Sequence, residues 1–253
     1  MPDAGKLSVS GIETREVVVQ PLPHPDKLII NRADSPVCFI LDDGTALCKL
    51  LAERLTAQDW NIVILQWPKD VLTITSEDLE GFQKVPLQGI SEEKIQAALS
   101  EAARPYGPAS AFVYLEPLWS HASNPDLAIR QESSLQGVFL LAKHLSPALN
   151  TNKRDGRSAF VTVTHMDGVL GTSGEGNWSA LSGGLYGLVK TLNLEWETVF
   201  CRALDIHPAV SAEQAADHIL NELEDPDQLL VEVGYSPQGR VTLALAEAVR
   251  SSS

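Results

Sequence analysis

Two residues in the second half of the chain have a spacing that suits proton transfer. Tyr186 and Lys190 are four residues apart, so on a helix they share one face and stand one turn apart. On that face the lysine ammonium can lower the pKa of the phenol, which prepares it to give a proton to a carbonyl oxygen. Ser173, thirteen residues before Tyr186, offers a hydroxyl for the same chemistry. These three residues are the candidate catalytic group.

The position of Ser173 argues against a catalytic role for that serine. The serine, tyrosine and lysine spacing resembles that of short-chain dehydrogenases, whose serine lies at the end of the strand that precedes the helix. Here that strand is expected to end near Thr164 and His165, some nine residues before Ser173, and a glycine-rich loop follows it. We therefore interpret Ser173 as a loop hydroxyl, and Tyr186 with Lys190 as packed vestiges of an active site.

The turn after the first predicted strand is unsuited to a nucleotide. A dinucleotide fold needs three spaced glycines there, whereas the sequence has Asp42, Asp43 and the single glycine Gly44. A carboxylate beside a phosphate would cost about 4 kcal/mol at about 4 Å and an effective dielectric near 20. After the next strand, residues 66–68 lack the acid or arginine that holds a ribose or its phosphate. We therefore expect no cofactor to bind this chain.

The histidines and cysteines show no metal-binding pattern. The histidines have no ligand spacing, and the best candidate among them is His165, because it follows a predicted strand; the six are His24, His121, His144, His165, His207 and His218. The cysteines are odd in number, widely spaced and without a C-x-x-C pair; they are Cys38, Cys48 and Cys201. We predict no metal site and three small core cysteines.

Apolar runs of strand length alternate with amphipathic segments of helix length along most of the chain. Strands are expected at 37–41, 61–65, 111–115, 158–163, 201–206 and 229–233, and helices at 47–55, 92–103, 125–149, 179–196 and 212–223. This alternation predicts an α/β fold with a doubly wound, mostly parallel sheet. Residues 71–90 do not fit the alternation and stay unassigned, and residues 16–20 are expected to add an extended arm.

Composition and charge exclude several kinds of partner. The chain has 44% hydrophobic and 21% charged residues, and its 19 basic against 33 acidic side chains give a net charge of −14. Nucleic acid and anionic membranes are therefore poor partners. No apolar run approaches the length of a membrane span, and the start lacks the pattern of a signal peptide. We expect a cytoplasmic domain at 15–246, with a linker at 1–14 and a tail at 247–253.

Three segments together carry a resemblance to a known family: residues 42–45, residues 183–196 and residues 199–206. They resemble the ketoreductase region of modular polyketide synthases, and in particular the multienzyme subunit of bacterial polyunsaturated (omega-3) fatty acid synthases. The likeness covers roughly residues 15–245. It implies the Rossmann-like fold of short-chain dehydrogenases with a degenerate nucleotide site.

The resemblance also implies a role and partners. In that family a structural half without a nucleotide site braces a catalytic half, which uses NADPH to reduce a β-ketoacyl group on an acyl carrier protein. This chain resembles the structural half, so the implied partners are the catalytic half of the same polypeptide and the carrier protein. Ser134 stands about where the family has an asparagine, and Tyr186 and Lys190 are retained where it often has other residues.

Two alternatives stay open at this point. One is an active NADP-dependent short-chain oxidoreductase that uses Tyr186 and Lys190. The other is an unrelated binding module on the same fold, because a fold does not fix a function.

Overall fold

The computed structural model describes residues 15–26, 35–119, 125–151, 156–174 and 178–246. These residues form one nine-stranded sheet with the order β1-β9-β8-β7-β6-β5-β2-β3-β4 and five helices. The elements are β1 (Val17–Pro21), β2 (Val37–Leu41), α1 (Ala46–Thr56), β3 (Asn61–Gln66), β4 (Gln83–Pro86), α2 (Glu92–Ala102), β5 (Ala111–Leu115), α3 (Pro125–Thr151), β6 (Ser158–Thr164), α4 (Ala180–Glu195), β7 (Val199–Ile206), α5 (Ala212–Glu224), β8 (Glu232–Ser236) and β9 (Gly239–Leu245).

The central strands are buried on both faces, which explains their continuous apolar runs. Every residue of β2, β5, β6 and β7 is buried. Helices α2, α3 and α4 cover one face of the sheet, and α1 and α5 cover the other, each face with its own apolar core. The strands from β2 to β8 pair in parallel, whereas β9 is antiparallel to both β8 and β1. The predicted doubly wound, mostly parallel fold is confirmed.

Near the end of the chain one predicted strand needs correction, and one further strand was not predicted. The strand predicted at 229–233 lies at 232–236, and Leu229 is 93% exposed. The reason is a turn, because the carboxylate of Asp227 accepts hydrogen bonds from the backbone N–H groups of Leu229 and Leu230. Strand β9 was not predicted, and it makes a hairpin with β8 that turns at Pro237 and Gln238.

The amino-terminal arm and the unassigned segment also have defined structures. The arm is β1, one residue later than predicted, and it forms an edge of the sheet beside β9. Residues 71–90 contain a loop and then β4, which pairs with β3 at the opposite edge. The predicted linker and tail lie outside the described residues. Within the described parts of the chain, no helix is both long and apolar enough to cross a membrane.

A buried ion network fixes the hairpin to the sheet and to α5. Glu222 Oε2 lies 2.7 Å from Arg202 Nη1, and Glu222 Oε1 lies 2.6 Å from Arg240 Nε. Asp225 adds a second acceptor, 2.5 Å from Arg240 Nη2. Because removal of one partner would leave an uncompensated buried charge, this network makes β9 an integral part of the sheet.

Candidate functional site

The turn between β2 and α1 is closed by its own side chains. Asp42 is buried, and its carboxylate accepts hydrogen bonds from the backbone N–H of Gly44 (2.9 Å), the backbone N–H of Ser76 (3.2 Å) and the hydroxyl of Ser76 (2.5 Å). This carboxylate therefore holds the turn to a segment 34 residues further along the chain.

Asp43 holds Thr45, the N-cap residue of α1, in place. Its carboxylate accepts from the backbone N–H (3.1 Å) and the hydroxyl (2.5 Å) of Thr45, and the Thr45 hydroxyl in turn accepts from the backbone N–H of Leu47 (3.1 Å). Burial raises the pKa of Asp43 to about 6, although the hydrogen bonds from Thr45 oppose this shift. The helix terminus that could bind an anion already has a carboxylate from the chain itself.

The loop that follows β3 lies directly on this turn. Gly44 has a positive φ of 76°, and a Cβ atom built on it would lie 3.0 Å from the backbone oxygen of Ile74. The Ser76 hydroxyl also lies 2.6 Å from the carbonyl oxygen of Thr45. Trp67, directly after β3, is buried and makes an edge-to-face contact with Tyr114. Residues of the chain thus occupy the space beside the turn.

Tyr186 is a buried core residue. Its hydroxyl lies 2.8 Å from the hydroxyl of Thr164, which also lies within hydrogen-bond distance, 3.2 Å, of the carbonyl oxygen of Leu204. Burial raises the pKa of Tyr186 well above its usual value, and the nearby charge of Asp205 raises it further. A phenol with a raised pKa is a weaker acid than the proton donor suggested by the Y-x-x-x-K spacing.

The other two sequence candidates do not join Tyr186. Lys190 has a side chain that is 53% exposed, and its Nζ lies 2.8 Å from Oε1 of Glu232. Ser173 is exposed, and both its backbone N–H and its side chain hydrogen-bond to Asp167. The three residues predicted as a group therefore have three separate partners.

A cavity of about 200 Å³ lies at the carboxyl ends of β5, β6 and β7, beside the first turn of α4. This edge of a doubly wound sheet is where ligands bind in such folds. The side chain of Ser179 accepts from the backbone N–H of Leu181 and so fixes the start of α4 at the cavity. The polar and aromatic lining residues are Glu116, Trp119, Gln131, His165, Trp178 and Ser182.

Three of these residues repeat the spacing on which the sequence interpretation relied. His165 directly follows β6, Trp178 comes thirteen residues later, and Ser182 comes four residues after Trp178. The register is eight residues earlier than that of Ser173, Tyr186 and Lys190. The spacing of thirteen and four residues is therefore present twice, once from the end of β6 and once from Ser173. Trp178 and Ser182 were not predicted as site residues because the sequence was searched for a serine, a tyrosine and a lysine. The signal that could have found them is the predicted end of the strand at His165, from which the same spacing leads to both residues.

Glu116 is a buried titratable group of the cavity wall. Its carboxylate accepts from the hydroxyl of Ser182 (2.8 Å), and also from the backbone N–H of His165 and the side chain of Trp119. Burial raises the pKa of Glu116 to about 7 in spite of these hydrogen bonds. Its acceptor capacity is taken up by the surrounding donors.

His165 and Trp178 each bring a buried nitrogen to the cavity wall. The Nδ1 atom of His165 lies 3.2 Å from the carbonyl oxygen of Ile206, and burial lowers the pKa of the imidazole to about 4. His165 Nε2 and Trp178 Nε1 are buried and have no hydrogen-bond partner among the residues that the structure describes. These two ring nitrogens are thus enclosed by the protein without a hydrogen-bond partner among the described residues.

Two aspartates hold the loop between β6 and α4 through hydrogen bonds from its backbone. Asp205 accepts from the backbone N–H groups of Met166 (2.8 Å) and Leu170 (2.9 Å), and Asp167 accepts from Gly171 (2.7 Å) and Ser173 (3.0 Å). Burial raises the pKa of Asp205 to about 7. The loop that carries Ser173 is thus shaped by backbone hydrogen bonds to carboxylates.

The remaining candidates have structural surroundings. Ser134, on α3, has its hydroxyl 2.9 Å from that of buried Tyr114. His144 lies 3.3 Å from Glu92, and His218 stacks on Tyr235. Within the described ranges no group of three metal-ligating side chains occurs, and His121 lies outside them. The three cysteines are free and buried, as predicted for core residues.

Comparisons with known proteins agree with the fold and with the resemblance. No family model matches the chain. The chain is 28% identical over 228 residues to one of the subunits of the polyunsaturated fatty acid synthase of Thraustochytrium sp., a match that covers 87% of this chain and 8% of that protein. The predicted similarity to a polyunsaturated fatty acid synthase subunit is confirmed, and the chain spans only a small part of that protein.

Solved structures show the same fold at low sequence identity. A 3-ketoacyl-(acyl-carrier-protein) reductase from Brucella melitensis, solved with NADH, has a TM-score of 0.61 at 16% identity, over 79% of this chain and 96% of that one. A short-chain dehydrogenase/reductase from the same organism has a TM-score of 0.62 at 14% identity, over 81% and 95%. The chain thus has the short-chain dehydrogenase fold and is similar in sequence to a segment of a polyunsaturated fatty acid synthase.

Proposed function

We propose that this chain is a non-catalytic structural half of a ketoreductase, which braces an NADPH-dependent β-ketoacyl reductase half within an acyl-carrier-based synthase. The observation that carries the proposal is the closed turn between β2 and α1. Asp42 accepts a hydrogen bond from Ser76 there, Asp43 accepts from the N-cap residue Thr45, and the backbone of Ile74 lies against Gly44. A pyrophosphate would have to displace these contacts and then sit beside two buried carboxylates.

The residue types in the cavity support the same proposal. The positions of a catalytic serine, tyrosine and lysine hold His165, Trp178 and Ser182. An indole cannot donate the proton that a phenol donates, and a serine hydroxyl carries no positive charge. The hydroxyl of Tyr186, the alternative proton donor, is hydrogen-bonded to the hydroxyl of Thr164, and Lys190 forms an ion pair with Glu232. None of these arrangements favours an active oxidoreductase.

The exposed edge of the sheet is where a structural half could contact its partner. All residues of β1 are exposed, including Val17, Val18 and Val19, and β1 pairs with β9 on one side. An edge strand with exposed apolar side chains invites a further pairing or packing interaction. The partner in this proposal is the catalytic half of the same polypeptide, and the substrate is carried by the acyl carrier protein.

NADPH titration tests the closed turn. Calorimetry on the isolated chain should detect no binding, or binding weaker than a dissociation constant of about 1 mM, because the turn is filled and acidic. A dissociation constant at or below about 10 µM would contradict the proposal.

A second experiment tests the bracing role. The catalytic half of the parent polypeptide, expressed alone, should melt at a lower temperature or aggregate, because part of its apolar surface would lack a cover. Adding this chain in trans should raise the melting temperature and restore reductase activity. A catalytic half that is equally stable and active without this chain would exclude the structural role.

A further inference from the structure

We propose that two copies of this chain associate through strand β1, which pairs antiparallel with β1 of the second copy about a twofold axis at Val18. Strand β1 lies at one edge of the sheet and pairs with β9 alone among the residues described. All five of its residues are exposed, and three of them are the consecutive valines Val17, Val18 and Val19. An exposed apolar edge strand is a template for pairing with a further strand.

The hydrogen bonds to β9 show which backbone groups of β1 are available for such pairing. The carbonyl oxygen of Glu16 accepts from the backbone N–H of Ala246 (2.8 Å), and the backbone N–H of Leu22 donates to the carbonyl oxygen of Arg240 (2.8 Å). Successive residues of an antiparallel strand direct their backbone groups to alternate sides, so the even-numbered residues of β1 bond to β9. The odd-numbered residues therefore direct their N–H and C=O groups away from the sheet.

The opposite edge of the sheet is protected against pairing, whereas β1 is not. Strand β4 at that edge is four residues long and carries exposed Lys84 and Pro86, two residue types that hinder further pairing. Strand β1 contains no lysine, and its proline, Pro21, is the last residue of the strand. Val17 and Val19 thus each offer an N–H and a C=O to a second strand.

The sequence of β1 favours a second copy as that strand, because the three valines read the same in both directions. With the axis at Val18, Val17 lies opposite Val19 of the second copy, and each such pair exchanges both of its backbone hydrogen bonds. Directly opposite β-branched side chains stabilise an antiparallel pair. Glu16 then faces Gln20 of the second copy, whose side-chain amide can donate to the carboxylate.

Moving the axis by one residue gives a poorer match. With the axis at Val17, Val18 would face the charged Glu16 of the second copy. With the axis at Val19, Val17 would face Pro21, which has no N–H to donate. The pairing centred on Val18 therefore uses the strand best, and because it is isologous it closes with two copies.

This association is a property of the isolated chain and does not rest on the proposed function. An edge strand pairs with one strand at a time, so a second copy and the proposed catalytic half would compete if both use β1. A chain that stays monomeric would leave the closed turn between β2 and α1 unaffected, so the two proposals fail in different experiments.

Sedimentation equilibrium of the full chain tests the association. The interface is small, so we expect a dimer with a dissociation constant of about 10–100 µM. Val19→Pro removes an N–H that points away from β9, so it should weaken dimerisation about tenfold or more with little change in the melting temperature. Val19→Thr is the control, because it keeps the N–H and the branched Cβ, and it should dimerise like the wild type. A chain that is monomeric at about 500 µM, or a folded Val19→Pro that dimerises normally, would overturn the proposal.

Cysteine cross-linking tests the register. The native cysteines are free and buried, so a new thiol on β1 reports on the edge. Val18→Cys should form a disulfide between copies, because opposite residues of a non-hydrogen-bonded pair have Cα atoms about 4.5 Å apart. Val17→Cys alone should not, since the two Cα atoms would lie roughly 8–9 Å apart, but it should cross-link when mixed with Val19→Cys. Equal cross-linking of Val17→Cys and Val18→Cys, each alone, would contradict the twofold axis at Val18 and overturn the pairing.

Discussion

The turn between β2 and α1 and the cavity beside α4 lie at the same edge of one sheet, yet they differ in how they are filled. In the turn, the carboxylates of Asp42 and Asp43 accept hydrogen bonds from Gly44, Thr45 and Ser76, and the backbone of Ile74 lies against Gly44. In the cavity, about 200 Å³ stays open, and His165 Nε2 and Trp178 Nε1 have no partner within the described part of the chain.

This difference separates two kinds of polar residue at one edge of the sheet. The carboxylates of the turn have hydrogen-bond donors from the chain on several sides, so they contribute to the stability of the fold. Glu116 in the cavity wall has a pKa raised by burial. Substitutions in the turn should therefore cost stability, whereas the cavity should show itself in the pH dependence of stability.

The largest effect is expected at Asp42. Asp42→Ala removes the acceptor of the backbone N–H groups of Gly44 and Ser76, and an unsatisfied buried donor costs about 1–3 kcal/mol. The Ser76 hydroxyl can still donate to the carbonyl oxygen of Thr45, 2.6 Å away. We expect a loss of about 3 kcal/mol in the free energy of unfolding, measured by urea denaturation. Asp217→Ala is the control, because Asp217 forms an exposed ion pair with Arg54 that is worth about 0–1 kcal/mol. Equal losses in the two variants would show that the turn is not a stabilising element.

The second-largest effect is expected in the pH dependence of the free energy of unfolding, to which Glu116 contributes. In the folded chain its pKa is raised from 4.5 to about 7, so between these values the unfolded state binds fewer protons than the folded state. Stability from this group is therefore complete below about pH 4.5 and is lost as the pH rises through about 7. Between about pH 5 and 8 the wild type should lose about 2 kcal/mol more than Glu116→Gln, in urea unfolding at each pH.

Comparison with Glu116→Gln isolates this group from its neighbours. His165 and Asp205, whose pKa values are also shifted by burial, are present in both proteins. The glutamine keeps an oxygen that can accept from the Ser182 hydroxyl. Parallel pH profiles for the two proteins would mean that the carboxyl of Glu116 is not held in its neutral form by the fold.

Alanine substitutions at two glycines of positive φ test the contact between the turn and the loop that follows β3. Gly44 (φ 76°) and Gly81 (φ 89°) would both be strained by alanine, at roughly 1–2 kcal/mol each. Gly44→Ala would also place its Cβ 3.0 Å from the oxygen of Ile74, whereas nothing lies within 4 Å at Gly81. Gly44→Ala should therefore lose about 1 kcal/mol more than Gly81→Ala in thermal or urea unfolding. A loop that is not packed on the turn would give the same loss for both.

Much of the fold could be predicted from the sequence because the central strands are buried on both faces. The runs at Val37–Leu41 and Ala111–Leu115 are continuously apolar, and the leucines of α1 recur with helical spacing. The last part of the sheet could not be predicted in the same way. Asp227 holds Leu229 and Leu230 in a turn through its side chain, and this overrides the apolar pattern of those residues.

The candidate site was harder to predict because its contacts are distant in sequence. The bond between Asp42 and Ser76 joins residues 34 apart, within a segment whose pattern fits neither helix nor strand. Two sets of residues in this region have the same spacing: His165, Trp178 and Ser182 at the cavity, and Ser173, Tyr186 and Lys190 eight residues later. The spacing in the sequence gives the separations between the three residues of such a set. It does not say at which residue the set begins, and the position of the end of β6 is needed for that.

The smallest effect is expected at Tyr186, and it tests that register. Tyr186→Phe removes one buried hydrogen bond to Thr164, which should cost about 1 kcal/mol in the free energy of unfolding. Tyr114→Phe is a matched control, since its hydroxyl has a comparable contact, 2.9 Å, with the hydroxyl of Ser134. If both tyrosines are packing residues, the two variants should lose similar stability.

Activity separates a packing residue from a catalytic one. In a protein that joins this chain to the proposed catalytic half, ketone reduction by either variant should stay within a few-fold of the wild type. Loss of a positioned proton donor costs about 10²- to 10⁴-fold instead. A fall of that size for Tyr186→Phe alone, with unfolding like that of Tyr114→Phe, would place the proton donor at Tyr186. The catalyst would then lie in this chain, and the cavity residues would mark only a shape inherited from the fold.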